Sequence, residues 1–152
     1  DNNIIVSPHI GDLNSIESNE YFLRTLNTLK RVYNFEPEII VCDKHPKYET
    51  SLFAKKYITN NKNIELIEVQ HHYAHALSCM AEYSLDEDIL AFCFDGTGYG
   101  DDGKLWGGEV FLANTKKYKR IYHFKELSLL GGDIAIKEPR RIGLSLLFES
   151  YS

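Results

Sequence analysis

Two histidines four residues apart are the side chains of this sequence best suited to chemistry. His71 and His75 lie in the stretch VQHHYAHAL, residues 69–77, which is predicted to be helical, and helix positions i and i+4 share a face. Two imidazoles on one face can bind a single metal ion. His72 is turned by about 100° from His71, so it is expected to point elsewhere. Because surface histidines also take this spacing by chance, the spacing alone leaves a metal-free helix as the alternative.

A glycine-rich segment, DGTGYGDDG over residues 95–103, directly follows the apolar stretch ILAFCF. Glycines let the backbone approach a ligand, and consecutive N–H groups can form an anion-binding nest. The segment therefore predicts a phosphate-binding loop at the end of a buried strand. The alternative is a glycine-rich hairpin turn, which an isolated Gly-Thr-Gly more often forms. A second glycine pair, Gly107-Gly108 before Glu109, and the nearby histidines favour the phosphate loop.

A third glycine pair precedes a charged stretch near the end of the sequence. Gly131-Gly132-Asp133 is followed by Lys137, Glu138, Pro139 and Arg140. One interpretation is a loop with proline at a helix start and charged residues in the first turn. The other is that Lys137 and Arg140 face phosphate oxygens. The sequence leaves both interpretations open.

The elements that must position these residues change character near residue 86. The predicted elements are a helix over 19–33 with Ser18 as its N-cap, a strand over 38–42, a helix over 50–58, a strand over 64–69, the histidine helix up to 83, strands over 89–94, 105–113 and 118–125, and a last helix after Pro139. Alternating strands and helices indicate a parallel sheet with crossover helices. The three later strands, joined by turns alone, indicate an antiparallel sheet.

This order of elements predicts an α/β fold of the actin and sugar-kinase-like ATPase type, with ribonuclease H-like lobes. Residues 1–86 are expected to be the C-terminal part of a first lobe. Residues 87–152 are expected to be the N-terminal part of a second lobe, with three antiparallel strands and then a helix. On this interpretation the sequence is a segment of a longer polypeptide.

Composition limits the classes of function. The 152 residues are 43% hydrophobic and carry a formal net charge of -5, which argues against nucleic-acid binding. Cys42, Cys79 and Cys93 each lie in an apolar pattern and form no Cys-x-x-Cys pair, which indicates buried thiols in a reducing compartment. With no signal-peptide pattern and no apolar run of about 20 residues, the expectation is a cytoplasmic protein that does not contact a membrane.

Six short segments, taken together, resemble the HypF family. They are HIGDL (9–13), DKHPKY (43–48), VQHHYAH (69–75), DGTGYG (95–100), WGGE (106–109), and GGD (131–133) through EPR (138–140). These segments extend over nearly the whole chain and occur in register. HypF is the carbamoyltransferase of nickel-iron hydrogenase maturation, and the matching part resembles its domain similar to the tRNA threonylcarbamoyl transferases.

The resemblance implies a reaction. Carbamoyl phosphate and ATP would be converted to carbamoyl-adenylate, and the carbamoyl group would pass to the C-terminal cysteine of the partner protein HypE, for cyanide ligand synthesis. His71 and His75 would hold a divalent metal, zinc or iron, acting as a Lewis acid. The family's third metal ligand is an aspartate beyond Ser152, so the segment alone is expected to have little activity. The resemblance further implies nucleotide or phosphate binding by Asp95, Gly96, Thr97, Gly98, Gly107, Gly108 and Glu109. Asp133, Lys137 and Arg140 are candidate substrate-binding residues, with Lys137 and Arg140 facing phosphate or carbamoyl oxygens.

Two alternatives remain from the sequence. One is an O-carbamoyltransferase that acts on a small natural product and shares the histidine signature and the adenylate chemistry. The other is a non-catalytic metal-binding or docking module that keeps the fold without turnover. A tRNA threonylcarbamoyl transferase fits less well, because the acidic balance offers no RNA surface.

Overall fold

The computed structural model describes residues 3–132 and 134–151. Contacts divide the chain into two compact units, Asp1–Glu68 and Val69–Ser152. Both units combine helices with strands, so the predicted α/β class is confirmed. In the described part of the chain, no helix combines the length and the apolar character that crossing a membrane requires.

The first unit alternates helices and strands in the predicted order. Its elements are α1 (Ile16–Tyr33), β1 (Ile39–Asp43), α2 (Glu49–Asn60) and β2 (Glu65–Val69). β1 and β2 are neighbours in a two-stranded sheet. Helix α2 packs against β1, and a helical connection of this kind is what parallel neighbours need.

Helix α1 begins earlier than predicted. Its N-cap is Ser15, whose Oγ accepts a hydrogen bond from the backbone N–H of Ser18 at 3.1 Å. The prediction of Ser18 as the cap is therefore wrong. Serine is a good cap at either position, and the apolar periodicity that located the helix does not resolve its first turn.

The second unit is a helix packed on an antiparallel sheet. Its elements are α3 (His71–Glu82), β3 (Ile89–Tyr99), β4 (Leu105–Ala113), β5 (Tyr118–His123), α4 (Ile134–Lys137) and α5 (Arg140–Tyr151). The sheet order is β3-β4-β5, and both pairings are antiparallel as predicted. Helix α3 contacts β3 and β4, which brings the histidines to the sheet.

The core of this unit lies between α3 and one face of the sheet. Its buried members are Tyr73, Ala76, Cys93, Trp106, Phe111 and Ala113. The Tyr73 hydroxyl donates to the carbonyl of Asn114 at 2.7 Å, and its ring stacks on Tyr118 at 4.5 Å between centroids. These contacts fix the buried side of α3, so that the other side presents His71 and His75.

Strand β3 is longer than predicted and absorbs the start of the glycine segment. It continues through Tyr99, with a register shift between Phe94 and Gly98 where it pairs with β4. Residues 95–99, expected to form a loop, are therefore part of an irregular strand. A bulge of this kind turns side chains away from the strict alternation of a strand.

The three cysteines differ in their surroundings. Cys93 is buried, Cys42 is partly buried and Cys79 is exposed. The expectation of three buried thiols is therefore wrong for Cys79. Burial raises the pKa of the Cys93 thiol, which favours its protonated, unreactive form.

Replacing Phe111 by alanine tests the position of the core. Phe111 is 0% exposed, whereas Phe92 on β3 is 61% exposed. Truncating a buried Phe leaves a cavity and costs about 3–5 kcal/mol, so Phe111→Ala should lower the free energy of unfolding of this chain by that amount. Phe92→Ala should cost much less. Urea titrations compare the two variants, and equal losses would contradict the assignment of the buried face.

Candidate functional site

Gln70 determines how helix α3 begins. It is buried, and as the N-cap residue its Oε1 accepts a hydrogen bond from the N–H of Tyr73 at 2.8 Å. Its Nε2 donates to the carbonyl of Tyr99 at 3.1 Å. One side chain therefore caps the helix and ties its first turn to the end of β3. The histidines of that turn face the strand as a result.

His71, His75 and Asp95 form a cluster able to hold a metal ion. One ligand atom from each lies within 4.8 Å of the others. Asp95 Oδ2 lies 2.9 Å from His71 Nε2 and 3.9 Å from His75 Nε2. The other oxygen, Oδ1, accepts a hydrogen bond from the N–H of Gly96 at 2.6 Å. The backbone thus holds one carboxylate oxygen while the second faces the two imidazoles.

One atom of this cluster, Asp95 Oδ2, is buried and makes no hydrogen bond within the described residues, and the same is true of Nε2 of the neighbouring His72. His71 Nε2 lies close enough to Asp95 Oδ2 for an ion pair, but the two atoms do not have the geometry of a hydrogen bond. Buried polar atoms without partners are uncommon in native proteins, and a bound ion is one way in which such atoms are satisfied. The donor set of two imidazoles and one carboxylate suits zinc or ferrous iron.

His72 also faces this cluster, so the expectation that it points elsewhere is wrong. Its Nε2 lies 4.0 Å from Asp95 Oδ2, and its side chain is 0% exposed. Strand β3 crosses the first turn of α3, so the rotation of about 100° between successive helix residues moves His72 under the strand instead of away from it. Burial lowers the pKa of His72, although Asp95 opposes the shift, and this direction favours the neutral imidazole.

Gly98 makes this close crossing possible. A Cβ at this position would lie 2.5 Å from His72 Cε1 and 2.7 Å from His71 Cδ2. Real side-chain atoms do not approach so closely. The sequence predicts a phosphate-binding role for Gly98, and the structure gives this residue a packing role against the histidines.

Most of the other predicted phosphate-binding residues line one cavity of about 190 Å³. Gly96, Thr97, Gly107, Gly108 and Glu109 all contribute to its wall, together with Trp106, Arg120 and Phe124. Pockets that enclose a whole small-molecule ligand measure about 300–1,000 Å³, so this one fits part of a nucleotide. It adjoins the histidine cluster because Asp95 and Gly96 are consecutive in β3.

Gly107 holds β4 close to the irregular part of β3. A Cβ there would lie 2.9 Å from the carbonyl oxygen of Asp95 and 3.3 Å from that of Gly96. The neighbouring backbone cannot move aside as a flexible side chain can. Glycine at 107 therefore keeps the cavity wall against the residue that faces the histidines.

Glu109 forms an ion pair with Arg120 in the wall of the cavity. It is buried, its Oε2 accepts from Arg120 Nε at 2.5 Å, and its Oε1 accepts from the N–H of Gly107 at 3.1 Å. The Arg120 guanidinium also lies 4.1 Å above the Trp106 ring and 3.7 Å from Asp102 Oδ2. Sequence patterns do not show this pairing, because Glu109 and Arg120 lie on different strands.

The third predicted group does not join the cluster or the cavity wall. Lys137 and Arg140 are exposed, and Arg140 Nη2 donates to Glu138 at 2.9 Å. Neither is among the described residues that line the cavity. Asp133 lies outside the described residues. A substrate-binding role for these three residues stays a prediction.

Family models identify the class of protein as one built from Kae1-like domains. Residues 1–82 match the family described as the HypF Kae1-like domain, and residues 91–152 match the carbamoyltransferase Kae1-like domain, second subdomain. The two matches together take in both parts of the histidine–aspartate cluster. The chain belongs to the HypF family.

Individual relatives agree with this family. Carbamoyltransferase HypF of Synechocystis sp. is 41% identical over 151 residues, covering 99% of this chain and 19% of the relative. Carbamoyltransferase HypF2 of Cupriavidus necator is 36% identical over 142 residues, covering 93% and 18%. The chain therefore spans about a fifth of the length of these relatives.

Two solved structures share the fold. HypF of T. kodakarensis superposes with a TM-score of 0.87 at 35% identity, over 96% of this chain and 19% of that one. Full-length HypF in a phosphate- and nucleotide-bound form superposes with a TM-score of 0.85 at 38% identity, over 93% and 18%. Both identities are high enough for the likeness to extend beyond the fold.

Gly98→Ala should disturb the crossing of β3 over α3. The added methyl group must displace His71 and His72, and overpacking of this kind costs about 1–3 kcal/mol. Gly143→Ala is the matched control, because a Cβ there meets nothing within 4 Å and alanine favours a helix. Thermal or urea unfolding of the two variants gives the comparison. Equal stabilities would show that the strand can move away without cost.

Arg120→Met should destabilise the fold by leaving the Glu109 carboxylate buried and unpaired. Breaking a buried pair in this way costs about 3–5 kcal/mol. The double variant Glu109→Gln/Arg120→Met removes the buried charge as well, and it should recover most of the loss. Unfolding free energies of the wild type, both single variants and the double variant form a complete cycle. Additive losses would contradict direct pairing.

Proposed function

We propose that this chain supplies the metal-binding and phosphate-binding part of a carbamoyltransferase active site. The reaction is the ATP-dependent transfer of a carbamoyl group from carbamoyl phosphate, through carbamoyl-adenylate, to the C-terminal cysteine of HypE. Its product serves cyanide ligand synthesis in nickel-iron hydrogenase maturation. Support comes from the family and from relatives named carbamoyltransferase HypF.

The observation that carries the proposal is the convergence of His71, His75 and Asp95 within 4.8 Å. Three protein ligands are the usual number in catalytic zinc sites, which keep a further position open for substrate. A metal held by these residues would act as a Lewis acid toward the carbamoyl oxygen. Asp95, predicted only as a phosphate-binding residue, becomes a proposed metal ligand in the same step.

The neighbouring cavity fits the other half of the intermediate. In carbamoyl-adenylate a single bridging oxygen joins the carbonyl carbon to the phosphorus, so a site for the intermediate needs carbonyl and phosphate positions side by side. Asp95 of the cluster and Gly96 of the cavity wall are consecutive residues. A 38%-identical relative was solved in a phosphate- and nucleotide-bound form. We therefore assign the adenylate phosphate to the cavity bounded by Gly96, Thr97, Gly107 and Gly108.

The chain's own residues contribute positioning and electrostatics. The Gly96 N–H holds Asp95 Oδ1 at 2.6 Å, so that Oδ2 is presented to the imidazoles. The pair of Glu109 and Arg120 joins β4 to β5 in the cavity wall. Oriented groups of this kind favour a transition state because they need no reorganisation during the reaction.

The division into lobes belongs to the same proposal. Residues 1–86 would be the end of a first actin-like lobe and residues 87–152 the start of a second. Since the chain spans about a fifth of its relatives, the remaining pocket residues are assigned to the rest of the polypeptide. ATP, carbamoyl phosphate and HypE are the proposed substrates and partner.

Variants of the three cluster residues test the proposal in the intact polypeptide that carries this segment. His71→Ala, His75→Ala and Asp95→Ala should each lower bound metal at least tenfold, because each removes one of three ligands. Carbamoyl transfer to HypE should be lost with the metal. Ser78→Ala is the control, since Ser78 is exposed on the same helix. Metal analysis and pyrophosphate release from ATP with carbamoyl phosphate provide the two readouts.

The possible outcomes separate the candidate functions. Metal content equal to that of the Ser78→Ala protein in all three variants would overturn the metal assignment. A metal-loaded wild type that releases no pyrophosphate would point to a docking module. Pyrophosphate release with transfer to a small hydroxyl acceptor, and none to HypE, would indicate an O-carbamoyltransferase.

A further inference from the structure

The orientation of the Gln70 amide is fixed by two independent backbone contacts. Its Oε1 accepts from the N–H of Tyr73 at 2.8 Å, and its Nε2 donates to the carbonyl of Tyr99 at 3.1 Å. Rotating the amide by 180° would place a donor against the N–H and an acceptor against the carbonyl. Both hydrogen bonds would be lost in a buried place, at about 1–3 kcal/mol for each group left unsatisfied.

This fixed amide determines where His72 carries its proton. Gln70 Nε2 lies 3.3 Å from His72 Nδ1. An amide nitrogen only donates, so Nδ1 must accept, and a neutral imidazole then carries its hydrogen on Nε2. The opposite tautomer would set two N–H groups against each other. Gln70 therefore selects the Nε2–H form of His72.

The resulting N–H group faces the proposed metal cluster. His72 Nε2 is fully buried, has no hydrogen-bond partner among the described residues, and lies 4.0 Å from Asp95 Oδ2. Asp95 Oδ2 also lacks a hydrogen bond there. A donor without an acceptor and an acceptor without a donor thus face each other, about 1 Å beyond ordinary hydrogen-bond range.

We infer that His72 is a positioning residue for Asp95: its Nε2–H donates to the carboxylate that binds metal, and Gln70 keeps His72 from binding metal itself. Binding through Nε2 would require a lone pair on that nitrogen, which the Gln70 contact excludes. The cluster thus has three imidazoles nearby and uses two as ligands. Hydrogen bonds from residues around a site commonly orient its ligands in this way.

Two substitutions at position 72 separate donation from ligation and from packing. In the intact polypeptide, His72→Phe fills the site without a donor, and His72→Gln places an amide N–H where Nε2–H stood. The inference rests on the proposed metal site. Zinc dissociation constants, measured by competition with a chelator, should weaken about 10–100-fold in His72→Phe. In His72→Gln they should stay within about twofold.

X-ray absorption counts the imidazole ligands of the bound zinc, a readout that a purely structural role would not change. Two imidazoles are expected in the wild type and in both position-72 variants. Loss of one imidazole in His72→Phe would make His72 a ligand and overturn the inference. Wild-type affinity in His72→Phe, or equal weakening in His72→Gln and His72→Phe, would also overturn it. If the wild type binds no zinc, the proposed metal site itself is wrong. Thermal melts identify any variant that is unfolded.

Discussion

Close packing between strand β3 and the first turn of helix α3 is the constraint on which the candidate site depends. The strand approaches so near that a single methyl group at Gly98 would overlap His71 and His72. In the neighbouring strand β4, Gly107 allows an equally close approach to the carbonyl groups of Asp95 and Gly96. These two contacts bring Asp95 to the histidines. The glycines that the sequence predicts to bind phosphate therefore also allow the strands and the helix to pack closely, because they have no side chain.

The electrostatics of the site divide into a satisfied part and an unsatisfied part. Glu109 is bonded to both Arg120 and the Gly107 N–H, so this part of the cavity wall is a closed network. By contrast, Asp95 Oδ2 and His72 Nε2 are buried without hydrogen bonds in the described structure. Natural folds concentrate such exceptions at functional sites and satisfy the surrounding groups. The contrast supports the proposal that the group around Asp95 is the part of the site that binds a metal ion.

The sequence predicted what local patterns encode. The apolar periodicity located the helices and strands, and the four-residue spacing placed His71 and His75 on one face of α3. It could not show that Asp95 lies beside them, because that depends on a bulge in β3 and on its register with β4. His72 was misjudged for a similar reason, since its surroundings are set by a strand distant in sequence. The boundary between the two expected lobes, near residue 86, stays a prediction.

Asp95 and the two imidazoles approach one another only when β3 has packed on α3, and Gln70 holds both elements at their junction. The unfolded chain offers no preformed coordination geometry. A cation captured by the cluster would therefore add its binding free energy to that of folding. Folding of the polypeptide and binding of its ion would then be thermodynamically linked. When metal is scarce, the free energy of unfolding would fall.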